Sequence, residues 1–145
     1  MKESDVLVTP GEREQRAVVR DALDYDGLLA RLTGDLGLVR RLLEAFTEDL
    51  PRRLLALENA IGADDAAVSL LVAHSLQGAA ATVGADEMRA IAIDIEAAAQ
   101  QRDLSMARAR LPALLAAGSA ARLSIARYLD SGSGSKRLEG FSQAK

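Results

Sequence analysis

Very few side chains in this 145-residue sequence can carry out chemistry. There is no cysteine, and His74 is the single histidine. Without thiolates there is no disulfide framework and no thiolate zinc or iron–sulfur site. One imidazole excludes a His-pair or His-triad metal centre, although an all-carboxylate cation site stays open. Neither GxGxxG nor GxxxxGK[ST] occurs, so no Gly-rich loop is present to cradle a phosphate. A net charge of −3 offers no basic field for nucleic acid. What is left is one imidazole, a group that can act as a nucleophile when it is neutral and accessible.

The elements that must position it are helices. Ala and Leu dominate the composition, aromatic residues make up 3%, and there are three prolines. That mix favours helix over sheet. A short helical pattern spans Tyr25–Leu32 and stops at Thr33-Gly34. A long one covers Asp35–Ile61, where Val39, Leu42, Leu43, Phe46, Leu50, Leu54, Leu57 and Ile61 recur in steps of three and four. Pro51 falls inside it and is expected to kink or break it. The next covers Asp65–Val83, capped by Asp64 or Asp65 and stopped by Gly84. A third long pattern runs Asp86–Gln101 with Met88, Ile91, Ala92, Ile95, Ala98 and Ala99 as its stripe. The last runs Leu104–Leu129 behind Asp103, with Leu111, Leu114, Leu115, Ile125 and Leu129 inward and Pro112 unsettling its first third. Such short connections make neighbours antiparallel, so the expected fold is all-α: an up-down-up-down four-helix bundle with a short extra N-terminal helix.

His74 sits on the second long helix. At about 100° per residue, Val68, Val72, Leu76, Ala79 and Val83 cluster into a core-facing stripe, and His74 falls almost opposite. Ala67, Leu70, Gln77, Gly78 and Ala81 share the outer face with it. No bulky side chain stands at i+4 or i+7 from the imidazole. A mid-helix glycine costs about 1 kcal/mol relative to alanine, so Gly78 asks for a reason. Close approach of another molecule is one; tight packing against a neighbouring helix is another. Leu70, with Ala67 and Ala81, would offer a small apolar docking patch. Asp94, Glu96, Glu48 and Asp49 read as solvated faces rather than as a cation site.

The string AHSLQGAAATVGA, Ala73–Ala85, resembles the histidine-containing phosphotransfer (HPt) domain family, with His74, Gly78 and Gly84 at the family's His and Gly positions. The resemblance extends from about Tyr25 to Leu129. It includes RLTGDLGLVRRLLEAFTEDLPRRLLALENAI upstream and the Ile95-Glu96 pair downstream, where an apolar-Glu pair is common in the family. It implies a phosphorelay intermediate of two-component signalling. His74 would accept a phosphoryl group from the aspartyl phosphate of a response-regulator receiver domain and pass it to another receiver. Gln77 and Gly78 would be phosphate-supporting and clearance residues. No cofactor is expected in this chain, because the Mg²⁺ belongs to the receiver. Gln77 departs from the pattern, which usually has Lys there. Arg89 on the following helix is a candidate substitute. The competing reading is a degenerate HPt-like docking module that binds receivers or other partners without phosphotransfer.

Residues 1–22 read as an arm or linker, 23–130 as the bundle, and 131–145 (SGSGSKRLEGFSQAK) as a disordered Gly/Ser-rich tail, a remnant of a longer or engineered chain. A piece of a hybrid sensor histidine kinase fits this layout. Ala66–Ala85 has no formal charge and could span a bilayer by length, yet Ser69, His74, Ser75, Gln77 and Thr82 make it too polar for a lipid-facing helix. The charged N-terminus lacks the apolar core of a signal peptide. A soluble, cytoplasmic, monomeric protein with no nucleic-acid or membrane contact is the expectation.

Overall fold

The computed structural model describes residues 22–144, and their side chains as far as Ser131. The expected N-terminal arm lies outside the described residues. Among the described residues five helices follow one another: α1 Tyr25–Arg31, α2 Leu36–Gly62, α3 Ala66–Val83, α4 Asp86–Gln100 and α5 Leu104–Ala144. Helix α3 packs between α2 and α4, and α5 closes the ring by packing on both α4 and α2. The bundle with its short extra helix is the all-α architecture read from the periodicity.

Aspartates start four of these helices, Asp24 of α1 among them. Asp35, Asp65 and Asp103 accept hydrogen bonds from the backbone N–H of Leu38, Val68 and Met106 at 3.0, 3.0 and 3.1 Å. Each satisfies an N–H that has no partner in the first turn. Gly84 ends α3 in the left-handed conformation at φ 81°, which glycine adopts at no steric cost. Its carbonyl accepts from the Asp24 N–H at 3.0 Å. Asp24 in turn caps α1 through the Gly27 N–H at 3.0 Å, so the short helix is docked on the end of α3. Tyr25 anchors the same helix to α5: its ring stacks on Tyr128 at 4.3 Å, and its hydroxyl lies 2.5 Å from Ser124 Oγ.

The core is aliphatic. Leu43, Leu50, Leu57, Leu76, Ile95, Leu114 and Ile125 are fully buried. All six expected inward positions of α4 are buried. Pro51 does not break α2, and Pro112 does not break α5; each lies inside a continuous helix. A mid-helix proline costs about 3 kcal/mol. On α2, burial of Leu43, Phe46 and Leu50 before Pro51, and of Leu57 and Ile61 after it, offsets that cost. The helical backbone of α5 is described as far as Ala144. Extending a formed helix gains one backbone hydrogen bond per residue, and no capping interaction ends α5 sooner.

The α3 stripe also differs from expectation. Ser69, Ala73, Leu76, Ala80 and Val83 are its buried residues, which places the inward direction about 60° from the stripe drawn through the valines. Val68 is 41% exposed as a result. The cause is the crowding of α3 between two helices, where small Ser and Ala side chains permit close approach. Weighting by hydrophobicity cannot detect that. Ala66–Val83 is long and apolar enough to cross a membrane by length and composition, but here it forms a wall of the bundle.

Ser69 is completely buried, and its hydroxyl has no hydrogen-bond partner among the described residues. An unsatisfied buried hydroxyl costs on the order of 1–3 kcal/mol. Ser69→Ala should therefore stabilise the fold by about 1 kcal/mol, read as an upward shift of the denaturant midpoint; a lower midpoint would contradict this account.

Candidate functional site

The inward rotation of α3 leaves His74 on the surface, as expected. Its side chain is 68% exposed. The residues that share its face do not all stand where the stripe placed them. Ala67, Gly78 and Ala81 are exposed, and Gln77 is half-buried. Leu70 is half-buried and packed against the core, a correction of the exposed patch expected there. Leu71, at 69% exposure, is the open apolar side chain. The roughly 60° rotation exchanges these two neighbours.

Gly78 is resolved by geometry. A Cβ built on it meets nothing within 4 Å. Packing against a neighbouring helix therefore does not require this glycine, in contrast to Gly118 on α5, whose Cβ would lie 3.1 Å from Leu54 Cδ1. Nothing among the described residues accounts for the helix cost at position 78. The space it leaves opens outward, one turn from the imidazole.

The main feature that reading the sequence missed is Glu96. Taken there as a solvated face, it lies 2.8 Å from His74 Nδ1 and is 24% exposed. The turn between α3 and α4 explains the meeting. His74 and Glu96 are equally far either side of Ala85, so an antiparallel pair joined at Gly84-Ala85 brings them level. That count, together with the Ile95-Glu96 pair, was the available signal. An ionised carboxylate can only accept hydrogen bonds. The contact therefore places the ring proton on Nδ1, which donates to Glu96 Oε2, and leaves the Nε2 lone pair facing solvent in the neutral ring.

By the same count Ile93 is level with Gln77, and Arg89 with Ala81. Ile93 is 39% exposed and extends the apolar rim. Arg89 is exposed on the face of α4 that carries Glu96, about two turns or 10 Å along the helix. On the other flank Arg53 of α2 bonds to Ser75 Oγ, and its Nε donates to Asp49 Oδ2 at 2.7 Å. Among the described residues no cluster of three or more His, Cys, Asp or Glu could hold a metal ion.

The described residues thus form a helical bundle that presents an exposed imidazole, held by a carboxylate, beside an open position. The family model for the Hpt domain matches residues 41–124, and the chain belongs to that family. Among solved structures it is similar to the HPT domain of a sensor hybrid histidine kinase from Shewanella. That likeness has a TM-score of 0.69 and 21% identity, over 76% of this chain and 95% of that one. It is also similar to histidine-containing phosphotransfer protein B from Pseudomonas aeruginosa, with a TM-score of 0.68 and 27% identity, over 74% of this chain and 94% of that one. No curated protein matches by sequence. The role that follows is phosphotransfer in two-component signalling.

Because position 78 is open, Gly78→Ala should raise stability by about 0.5–1 kcal/mol through helix propensity alone. A thermal or denaturant melt checks this, and a destabilised variant would mean that position 78 is packed after all.

Proposed function

We propose that the domain is a relay intermediate. His74 takes a phosphoryl group from the aspartyl phosphate of one response-regulator receiver domain and passes it to a second, in the cytoplasm, without a kinase or nucleotide site of its own. The observation that supports this reading best is the His74–Glu96 pair at 2.8 Å beside the vacant space over Gly78.

The chemistry follows from the tautomer. The Nε2 lone pair attacks phosphorus; the P–Nε2 bond forms as the P–O bond to the receiver aspartate breaks, and the electron pair leaves with that carboxylate. Nδ1 keeps its proton throughout, and the ring becomes an imidazolium whose positive charge Glu96 balances. In the reverse direction neutral imidazole is the leaving group. No proton has to be found or discarded in either direction. The receiver would supply the Mg²⁺ that steadies the phosphoryl oxygens. Leu71, Ile93, Ala67 and Ala81 form an apolar rim against which a receiver would seat, and Gly78 lets it come close.

Gln77 favours a second reading, a docking module that keeps the fold and has lost the transfer. The two separate on labelling. Incubation with a phosphorylated receiver should give acid-labile label on the wild-type chain and none on His74→Gln. Label that survives in His74→Gln overturns the assignment, and receiver binding without label on the wild type favours the docking module. Glu96→Gln should still be labelled, but about three- to tenfold more slowly, because a neutral acceptor replaces a charge-assisted one. An unchanged rate would remove Glu96 from the mechanism.

A further inference from the structure

We propose that the cleft between α2 and α3 is a binding site for a small monocarboxylate with an apolar, benzene-sized body. The site is separate from the imidazole and does not depend on the relay reading. The cleft holds about 170 Å³. Leu42, Phe46 and Leu50 of α2 and Ala79 and Val83 of α3 form its walls. Phe46, Leu50 and Val83 are core residues, so a ligand there would rest on the core itself. A void of about 150 Å³ lined by aliphatic and aromatic side chains stays dry and admits benzene. Apolar walls with a few polar groups at one edge are the usual build of a small-molecule site.

The polar edge decides the charge of the ligand. Asp49 and Arg53 line it, and both are partly exposed. Asp49 is bonded to Arg52 as well as to Arg53. Two guanidinium groups therefore share one carboxylate, and one positive charge is left over. Arg53 is also only partly used. Its Nε donates to Asp49 Oδ2 and its Nη1 to Ser75 Oγ, whereas Nη2 has no acceptor among the described residues. From α1, Arg31 donates to the carbonyl of Thr82, a further lining residue, at 3.1 Å. Helix α3 offsets none of this charge, since His74 is its one ionisable side chain between Ala66 and Val83 and is turned to Glu96.

The opening is thus cationic over an apolar interior. A guanidinium edge with free N–H groups matches a carboxylate in shape and charge. The ligand class follows: an anionic head on Arg53 Nη2, and a ring or branched aliphatic body against Leu42, Phe46 and Leu50. The cleft adjoins the histidine face without being part of it. Thr82 Oγ1 donates to the Gly78 carbonyl at 2.9 Å, and Gly78 lies one turn from His74. An occupant would bridge α2 and α3 on the flank of α3 that faces away from Glu96.

Methyl-resolved NMR of the intact chain, with benzoate as the probe, tests the site. Benzoate should shift the methyl signals of Leu42, Leu50 and Val83 saturably, and raise the melting temperature as its concentration rises. Benzyl alcohol keeps the ring and loses the charge. It should bind about two- to fivefold more weakly, the range for one partly exposed ion pair. Arg53→Gln should bring benzoate down to the level of benzyl alcohol. Acetate, which has no apolar body, should shift none of these signals. Ala45 lines the cleft and is exposed, so Ala45→Leu fills the space without entering the core. That variant should abolish binding of both ring probes even if Arg53→Gln folds poorly. No saturable shift with benzoate, or equal shifts in wild type and Ala45→Leu, overturns the proposal. Equal affinity of the wild type for benzoate and benzyl alcohol overturns the assignment of a carboxylate.

Discussion

The hydrogen bond between His74 Nδ1 and Glu96 is the contact on which the proposed chemistry rests. It joins two adjacent helices that share their deepest residues, with Ala73, Leu76 and Ala80 of α3 buried alongside Ile91, Ala92 and Ile95 of α4. The bundle thus acts as a jig. Its aliphatic core sets the relative height of α3 and α4, Gly84 sets the turn between them, and the outcome is one proton held on one nitrogen. A histidine on an isolated helix would sample both tautomers; here the packing chooses.

The surface above that contact is built by restraint. Alanines, a glycine and a glutamine surround the imidazole, and the charged side chains are engaged elsewhere: Arg53 with Asp49, Arg108 with Asp64 and the Ile61 carbonyl, Arg110 with Asp94. Gly78 shows the cost most clearly. It weakens a helix that would be more stable with alanine, and no neighbour inside the chain gains from its absent side chain. Stability forgone at such a position is what the proposed docking of a receiver would require. Ser69 is a different case, an unpartnered hydroxyl buried on the opposite side of the same helix, and its small size is what the α3 packing uses.

Much of this was legible in the residues. Each of the five helices was called from apolar spacing and punctuation, and the α4 core was read in full. The outward imidazole followed from a helical wheel, and the open i+4 position from the identity of Gly78. Errors clustered where hydrophobicity and burial part company. Val68 is more apolar than Ser69, yet Ser69 is the buried one. Leu70 and Leu71 are chemically identical, so no scale could say which faces out. Pro51 reads as a kink or break, and Pro112 unsettles the start of its helix, because local propensity is blind to the tertiary burial that overrides it.

The sequence alone therefore determined the inventory: one histidine, no cysteine, no Gly-rich nucleotide loop, and a helix without other charge to carry the imidazole. These are matters of residue identity and near-neighbour spacing, and spacing along a helix translates directly into a face. Only the tertiary structure decided which face of α3 turns inward by tens of degrees, that Gly78 opens on empty space, and that Glu96 meets the imidazole. Those three depend on where a second helix lies, and contacts between residues far apart in the chain are set by packing of the whole core, which no local pattern encodes.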